Sequence, residues 1–290
     1  MQTHQTLPIL VIGAGPVGLA AASHLIERKE QPLVIEAGTS AGTAVRQWSH
    51  VRMFSPWRYN IDAASRRLLE KTDWQEPNSK HLPTGAEIFS HYLEPLATRT
   101  ELKSHIRYGE RVIAVTRCDT DKVRTKERDN RPFVVRTVAA DGTVHDHLAK
   151  AVIDASGTWT TPNPLGADGL SAIGDDKNAD RIDYGIPDVL GARRVDFASK
   201  TILVVGSGHS AFNAVLELVE LREDAPDTRI FWAMRKQSLD KVFGGGAADG
   251  LPARGELGAR ARAAVESGAV TLLTPFSIHR VAPTRDQRLE

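Results

Sequence analysis

The chain has 290 residues, a length typical of about two domains. Its 41% hydrophobic and 25% charged residues are ordinary for a globular protein and exclude a disordered chain or a coiled coil. With 37 Lys and Arg against 36 Asp and Glu, the formal net charge of +1 argues against a nucleic-acid partner. The single cysteine, Cys118, excludes an intrachain disulfide, a CxxC pair and a cysteine zinc site. We therefore expect a reducing, cytoplasmic location and no bound metal.

The N-terminal stretch of residues 5–26 contains no Asp, Glu, Lys or Arg. Such a stretch raises the alternatives of a membrane span or a secretion signal. Glycines and prolines interrupt it, however, and no Lys or Arg precedes it. We expect a strand, a tight turn and a helix here, and no membrane partner.

The turn in this stretch carries a glycine motif. Residues 7–12 form an apolar run of strand length, and a G-x-G-x-x-G with Gly13, Gly15 and Gly18 follows. These glycines permit, in order, a tight turn, close approach of the backbone to a pyrophosphate, and close packing of a helix on the strand. The helix, predicted over residues 17–28, presents its N-terminal N–H groups to the phosphates.

The next predicted strand covers residues 31–35, and the acid Glu36 follows it directly. A carboxylate at this place accepts hydrogen bonds from a ribose 2′-hydroxyl and repels a 2′-phosphate. The first motif therefore favours NAD or FAD over NADP, and the alternative is a glycine-rich turn without a ligand. Together with the three glycines, Pro16 and Glu36 are the predicted cofactor-binding residues.

A second glycine motif follows another apolar strand, predicted over residues 201–205. Its G-x-G-x-x-A leads into a helix predicted over residues 210–222, and the next predicted strand is residues 229–234. That strand is followed by Arg235 and Lys236, and cations there favour a 2′-phosphate, hence NADPH over NADH. The alternative is a solvated strand end. The predicted cofactor-binding residues are Gly206, Ser207, Gly208, His209, Ser210 and Arg235.

Other elements are predicted between and after the motifs. A helix over residues 84–99 has Thr84 as its cap and an interruption near Pro95. A β-meander is predicted over residues 111–117, 132–138 and 144–148, and a strand that leads into Gly157 over residues 150–156. A polar crossover is predicted over residues 175–200, a final helix over residues 255–267 and a final strand over residues 269–273.

Two dinucleotide motifs in one chain resemble those of the two-dinucleotide-binding-domain flavoproteins, most closely the flavin-containing monooxygenases. The resemblance implies an α/β fold with two Rossmann-like domains. An FAD-binding domain with an inserted helix and β-meander would occupy residues 1–170, a crossover linker residues 171–199, and an NAD(P)H-binding domain residues 200–290. No strand ending in Gly-Asp follows the second motif. We therefore expect the second domain to be incomplete and the family's C-terminal closing segment to be missing.

The resemblance also implies a role for the aromatic residues 48–60. In the flavin-containing monooxygenases the equivalent segment lies against the flavin ring, which makes Trp48 a predicted cofactor-binding residue and Asn60 a candidate catalytic residue. The alternative is ordinary core packing of the aromatic side chains. No other catalytic residue is predicted.

The implied cofactors are FAD and NADPH, and the implied activity is that of an NADPH-dependent flavin monooxygenase acting on a small soft nucleophile or a ketone. Two alternatives stay open. One is an NAD(P)H:acceptor flavin reductase without oxygenation, and the other is a truncated nucleotide-binding chain without full activity. The partners considered are a small-molecule substrate and further copies of the chain in a homo-oligomer.

Overall fold

The computed structural model describes residues 7–237, 242–284 and residue 289. The chain divides into two compact units, one ending at Thr158 and the other beginning at Trp159. The ends of the predicted domains at residues 1 and 290 lie outside the described residues, and the predicted boundaries at residues 170 and 199 stay a prediction.

The described residues of the first unit form seven strands, five α-helices, three 3-10 helices and a π-helical turn. The strands are β1 (Ile9–Ile12), β2 (Pro32–Glu36), β3 (Ile106–Tyr108), β4 (Glu110–Arg117), β5 (Phe133–Ala139), β6 (Val144–Ala149) and β7 (Ala151–Asp154). The helices are α1 (Pro16–Glu27), α2 (Thr43–Gln47), α3 (Ala63–Leu69), α4 (Gly85–Ile88) and α5 (Glu94–Arg99), with the π turn at Phe89–Leu93.

A parallel sheet forms the centre of this unit. Its strand order is β3-β2-β1-β7, and every neighbouring pair is parallel. Leu10 and Val11 of β1 are both fully buried, as expected for a central strand covered on both faces. Val11 belongs to the same core cluster as Leu19 and Ala22 of α1, whereas Leu10 packs with the meander.

The predicted β-meander is present as an antiparallel sheet of order β4-β5-β6. Val135 and Ala149 of the meander cluster with Leu10 and Ile35 of the parallel sheet. The meander therefore covers one side of the parallel sheet, while α1 packs within the larger core cluster.

The helix predicted over residues 84–99 begins at the expected cap and contains the expected interruption. Thr84 and Glu87 form a reciprocal capping box, in which each side chain accepts a hydrogen bond from the other's backbone N–H. The interruption is the π turn, which ends at Leu93, two residues before Pro95. Proline has no N–H to offer the carbonyl of His91, and the indole Nε1–H of Trp74 donates to that carbonyl at 2.6 Å.

In the described part of the second unit, β8 (Thr201–Val205), β9 (Arg229–Ala233) and β10 (Thr271–Leu273) form a parallel sheet of order β10-β9-β8. With its helices it forms a βαβαβ arrangement, as the sequence predicts. The predicted polar crossover contains a 3-10 helix, Asp176–Arg181, and one short α-helix. The elements of this unit are α6 (Arg194–Phe197), β8 (Thr201–Val205), α7 (His209–Asp224), β9 (Arg229–Ala233), α8 (Pro252–Glu266) and β10 (Thr271–Leu273).

Glu217 on α7 is a half-buried carboxyl that the sequence analysis does not single out. Its Oε2 atom is buried and has no hydrogen-bond partner in the part of the chain that the structure describes. Burial, followed by the negative charges of Asp188 and Glu220, raises the pKa of Glu217 to about 7. The folded state thus holds a proton that the unfolded chain releases at lower pH.

We expect this proton to make stability depend on pH. Because the folded pKa is raised, the stabilisation is complete below the unfolded pKa of about 4.5 and is lost as pH rises through about 7. Glu217→Gln should therefore raise the free energy of unfolding at pH 8 by roughly 1 kcal/mol, allowing for partial solvent screening, and change it less at pH 5. Urea unfolding at both pH values measures this, with the exposed Glu223→Gln on the same helix as the control. Equal effects of the two substitutions at pH 8 would contradict the assignment.

Candidate functional site

The first glycine-rich turn begins where β1 ends. The N–H of Gly13 donates to the carbonyl of Ile35 at 2.8 Å, so the ladder to β2 extends one residue beyond the strand. Gly13 then takes a φ of +96°, which a residue with a Cβ rarely adopts. A Cβ on Gly13 would also lie 2.8 Å from the carbonyl oxygen of Ala155, the residue after β7. The turn therefore needs glycine for both conformation and space.

Gly15 and Gly18 have different surroundings. A Cβ on Gly15 meets nothing within 4 Å, whereas a Cβ on Gly18 would lie 1.9 Å from the carbonyl oxygen of Gly13. Gly15 is the N-cap of α1 and Pro16 opens the helix, with no side chain capping it. Gly15 thus borders open space at a helix N-terminus, and Gly18 allows α1 to contact the turn directly, as the sequence predicts for a dinucleotide site.

Glu36 ends β2 beside this turn. One carboxylate oxygen accepts a hydrogen bond from the N–H of Ala14 and the other from the N–H of Gly38, both at 2.8 Å. The side chain is half-buried and held by these two backbone groups. Its position next to the turn is the one predicted from sequence.

Tyr108, at the end of β3, pairs in register with Glu36. Burial, followed by the negative charge of Glu36, raises the pKa of the Tyr108 phenol. Tyr108 was not predictable from the sequence, because β3 has only three residues. Its apolar pattern is too short to mark it as a strand, and only the pairing with β2 brings it to this edge of the sheet.

The aromatic segment of residues 48–60 contributes Trp57 and part of Trp48 to the core, while Tyr59 is exposed. The Trp48 ring lies against Gly85, where an added Cβ would be 2.7 Å from the ring atom Cε3. Trp57 is buried, with 1% of its surface exposed. These contacts fit the core-packing alternative, and a role of Trp48 towards a flavin stays a prediction.

Asn60 is engaged in its own turn. Its side-chain amide donates to the carbonyl of Ser55 at 2.8 Å, and its oxygen accepts from the Ser55 hydroxyl at 2.9 Å. These bonds give Asn60 a local structural role, and its catalytic role stays a prediction. His50 in the same segment has a buried Nε2 without a partner among the described residues. The sequence does not single out His50, because the alternation of polar and apolar residues in this segment does not show which polar side chain faces inward.

The second glycine-rich turn repeats the backbone plan of the first. The N–H of Gly206 donates to the carbonyl of Ala233 at 3.0 Å, and the φ of Gly206 is +118°. A Cβ on Gly206 or Gly208 meets nothing within 4 Å. Gly208 is the N-cap of α7, with no side chain capping it. Ser207 precedes it and Ser210 lies in the first turn of α7. The backbone of the turn at Gly206 and Gly208 therefore borders open space at a helix N-terminus.

Two cationic residues follow β9, the strand that lies beside this second turn, and an aromatic pair stands at the start of α7. Arg235, exposed just beyond β9, donates from its guanidinium to the carbonyl of Ala167. Lys236 follows it in an exposed position. The exposed His209 opens α7, and its ring centroid lies 6.1 Å from that of Phe212. The structure thus places Glu36 against the first turn, whereas Trp48 packs on Gly85 and the guanidinium of Arg235 contacts Ala167.

The two turns have the features of dinucleotide sites and not of metal sites. Each supplies a positive-φ glycine, an open backbone surface and an uncapped helix N-terminus, which suit a pyrophosphate. Across the described residues, no group of three or more His, Cys, Asp or Glu is arranged to hold a metal ion. Within the same residues, every helix is too short or too polar to cross a membrane.

Comparison with solved structures supports this fold. The bacillithiol disulfide reductase Bdr (YpdA) of Bacillus cereus is 21% identical, with a TM-score of 0.69 over 99% of this chain and 74% of that chain. An oxidised steroid monooxygenase bound to NADP is 22% identical, with a TM-score of 0.51 over 90% of this chain and 44% of that chain. These likenesses confirm the α/β fold with two Rossmann-like units.

Sequence comparison identifies relatives that are named as flavin-containing monooxygenases. The flavin-containing monooxygenase FMO GS-OX3 of Arabidopsis thaliana is 20% identical over 237 residues, which are 74% of this chain and 47% of that protein. The chain spans about half the length of the curated relatives it matches. The family model described as pyridine nucleotide-disulphide oxidoreductase matches residues 10–241. The chain therefore belongs to the pyridine nucleotide-disulphide oxidoreductase family, which confirms the resemblance to two-domain flavoproteins seen in its motifs.

Proposed function

We propose that the chain is an FAD-dependent oxidoreductase reduced by NADPH, with FAD at the first glycine-rich turn and NADPH at the second. The observation that carries this proposal is the contrast between two turns of the same backbone plan. The strand beside the first ends in the carboxylate of Glu36, and the strand beside the second leads into the cations Arg235 and Lys236. The boundaries proposed for the two binding domains remain those predicted from the motifs.

At the first turn, the residues fit the pyrophosphate and ribose of FAD. Gly15 leaves the backbone open to the pyrophosphate, and the N-terminus of α1 at Pro16 supplies N–H groups and a positive dipole end. The carboxylate of Glu36 is already held by two backbone N–H groups and keeps lone pairs for ribose hydroxyls. We add His50 as a candidate, because its unpartnered Nε2 lies in the segment predicted to face the flavin.

At the second turn, the residues fit an NADPH molecule. The open backbone at Gly206 and Gly208 and the N-terminus of α7 suit the pyrophosphate. The guanidinium of Arg235 can pair with a 2′-phosphate through charge-assisted hydrogen bonds, which an unphosphorylated ribose does not offer. This difference would make the site select NADPH over NADH.

FAD, when bound, supplies the redox chemistry by accepting a hydride from NADPH and passing electrons onward. The protein's own part is to bind and orient the two nucleotides. We propose oxygenation of a small soft nucleophile or a ketone, since the curated relatives are named as flavin-containing monooxygenases. A dithiol mechanism has no support, because Cys118 is the single cysteine. A flavin reductase is the second candidate, since both functions need the same two turns.

The function is tested on the purified chain supplied with FAD, NADPH and oxygen. We expect a flavin spectrum, bleaching by NADPH without oxygen, and oxygen-dependent formation of sulfoxide from methyl p-tolyl sulfide or of lactone from cyclohexanone. Gly15→Val should remain folded but lose the flavin spectrum, because its side chain enters the open space above the turn. Gly250→Val, at another glycine whose Cβ meets nothing within 4 Å, is the matched control.

The outcomes of this experiment separate the alternatives. Flavin bleaching with hydrogen peroxide and no oxygenated product would favour the reductase. Absence of both flavin binding and NADPH oxidation in the FAD-supplemented chain would overturn the proposed function.

Selectivity for NADPH should depend on Arg235. Arg235→Ala should weaken NADPH binding by about 10- to 100-fold and leave NADH binding nearly unchanged, since a hydrogen bond to a charged group contributes roughly 1.5–3 kcal/mol. Isothermal titration with NADP+ and NAD+ measures both affinities. An equal loss for the two nucleotides would show that Arg235 does not contact the 2′-phosphate.

A further inference from the structure

Trp232 on β9 is fully buried, although its indole carries a polar N–H group. This N–H donates to the carbonyl oxygen of Gly206 at 2.7 Å. A buried tryptophan usually finds a partner for its N–H. Here the partner is the first glycine of the second turn, which lies on a different element from the tryptophan.

The bond determines how the peptide group after Gly206 is oriented. The Gly206–Ser207 peptide is trans, and in a planar trans peptide the C=O and N–H groups point in opposite directions. With the carbonyl held by Trp232 in the core, the N–H of Ser207 is directed away from the indole. The adjoining backbone at Gly206 and Gly208 borders open space, as a Cβ on either would meet nothing within 4 Å.

In the first turn the corresponding carbonyl is that of Gly13, and it is held by a different contact. A Cβ on Gly18 would lie 1.9 Å from the carbonyl oxygen of Gly13, so this carbonyl lies directly against α1. Ala211 occupies the equivalent place in the second motif, and its methyl group excludes so close an approach. The second turn instead has a side-chain donor that fixes its carbonyl.

Trp232 is itself held in place by aromatic neighbours. Phe212, in the first turn of α7, packs edge-to-face on the indole with ring centroids 5.2 Å apart. Phe243 lies 6.2 Å from the indole centroid, also edge-to-face. The same indole therefore contacts both the glycine-rich turn and the helix whose N-terminus opens beside it.

We propose that Trp232 is a positioning residue for the pyrophosphate of the nicotinamide nucleotide, acting through its hydrogen bond to Gly206 to direct the N–H of Ser207 towards the phosphate oxygens. This inference rests on the proposed function of the second turn. It differs from the role proposed for Arg235, because the pyrophosphate is common to NADP+ and NAD+ and the 2′-phosphate is not.

The test compares nucleotide affinities of the FAD-supplemented full chain and of Trp232→Phe, well below their melting temperatures. Trp232→Phe keeps an apolar ring and removes the donor. We expect the Kd values for NADP+ and for NAD+ to rise by the same factor, about 3- to 10-fold, as for loss of one neutral hydrogen bond. The flavin content should not change, and the KM for NADPH should rise more than kcat falls.

Two controls separate positioning from core stability. Ile230→Ala opens a cavity on the same face of β9 without touching the turn, and should lower the melting temperature while leaving both Kd values unchanged. Replacement of Trp232 by 3-benzothienylalanine keeps the bicyclic shape without the N–H, and should raise both Kd values with little change in melting temperature.

The outcomes distinguish this inference from the function on which it rests. Unchanged affinities in Trp232→Phe, or an equal rise in Ile230→Ala, would overturn the role of Trp232 and leave the proposed function standing. Failure of the wild-type chain to bind either nucleotide would overturn the proposed function of the second turn and the role of Trp232 with it.

Discussion

In both units the geometry of the site depends on one backbone hydrogen bond, from the first glycine of the turn to the neighbouring strand. It joins Gly13 to Ile35 at 2.8 Å and Gly206 to Ala233 at 3.0 Å. Because this hydrogen bond extends the strand pairing by one residue, the chain leaves the sheet at the glycine. The φ of this glycine is +96° in Gly13 and +118° in Gly206. The helix that follows therefore starts at the carboxyl edge of the sheet, where the next strand also ends.

This shared backbone leaves the choice of nucleotide to a few side chains. The N–H groups of the turns and helix N-termini suit any pyrophosphate and do not distinguish one dinucleotide from another. In the proposed function, the side chain that follows the next strand would supply the difference, because Glu36 at the end of β2 carries a negative charge and Arg235, two residues beyond β9, a positive one. Family membership is thus consistent with two turns of similar form and different neighbouring charge.

Features fixed by local chemistry were predictable from the sequence. β8 covers the predicted residues 201–205, because an apolar run there is bounded by Lys200 and Gly206. Thr84 was predictable as a cap because a hydroxyl three residues before Glu87 forms a reciprocal pair. In such cases the deciding contacts lie within a few residues of one another along the chain.

Features fixed by distant contacts were not predictable in the same way. Pro95 indicates an interrupted helix, but the π turn also involves the carbonyl of His91, which accepts a hydrogen bond from Trp74. The aromatic segment of residues 48–60 fits both a flavin-facing wall and a core, and only the contact of Trp48 with Gly85 shows how the ring packs. The bond between Trp232 and Gly206 likewise joins two elements whose pairing no local pattern specifies.

A single methyl group accounts for the different ways in which the two turns are held. At Gly18 its absence lets α1 pack directly on the carbonyl of Gly13, so the first turn is held by its own helix. At Ala211 its presence requires another partner for the carbonyl of Gly206, and Trp232 supplies one from β9. The orientation of the second turn is therefore coupled to an aromatic core that includes Phe212 and Phe243. It follows that substitutions among the aromatic side chains that hold Trp232 can alter the second turn without touching it, whereas the carbonyl of Gly13 is held by a backbone contact with its own helix.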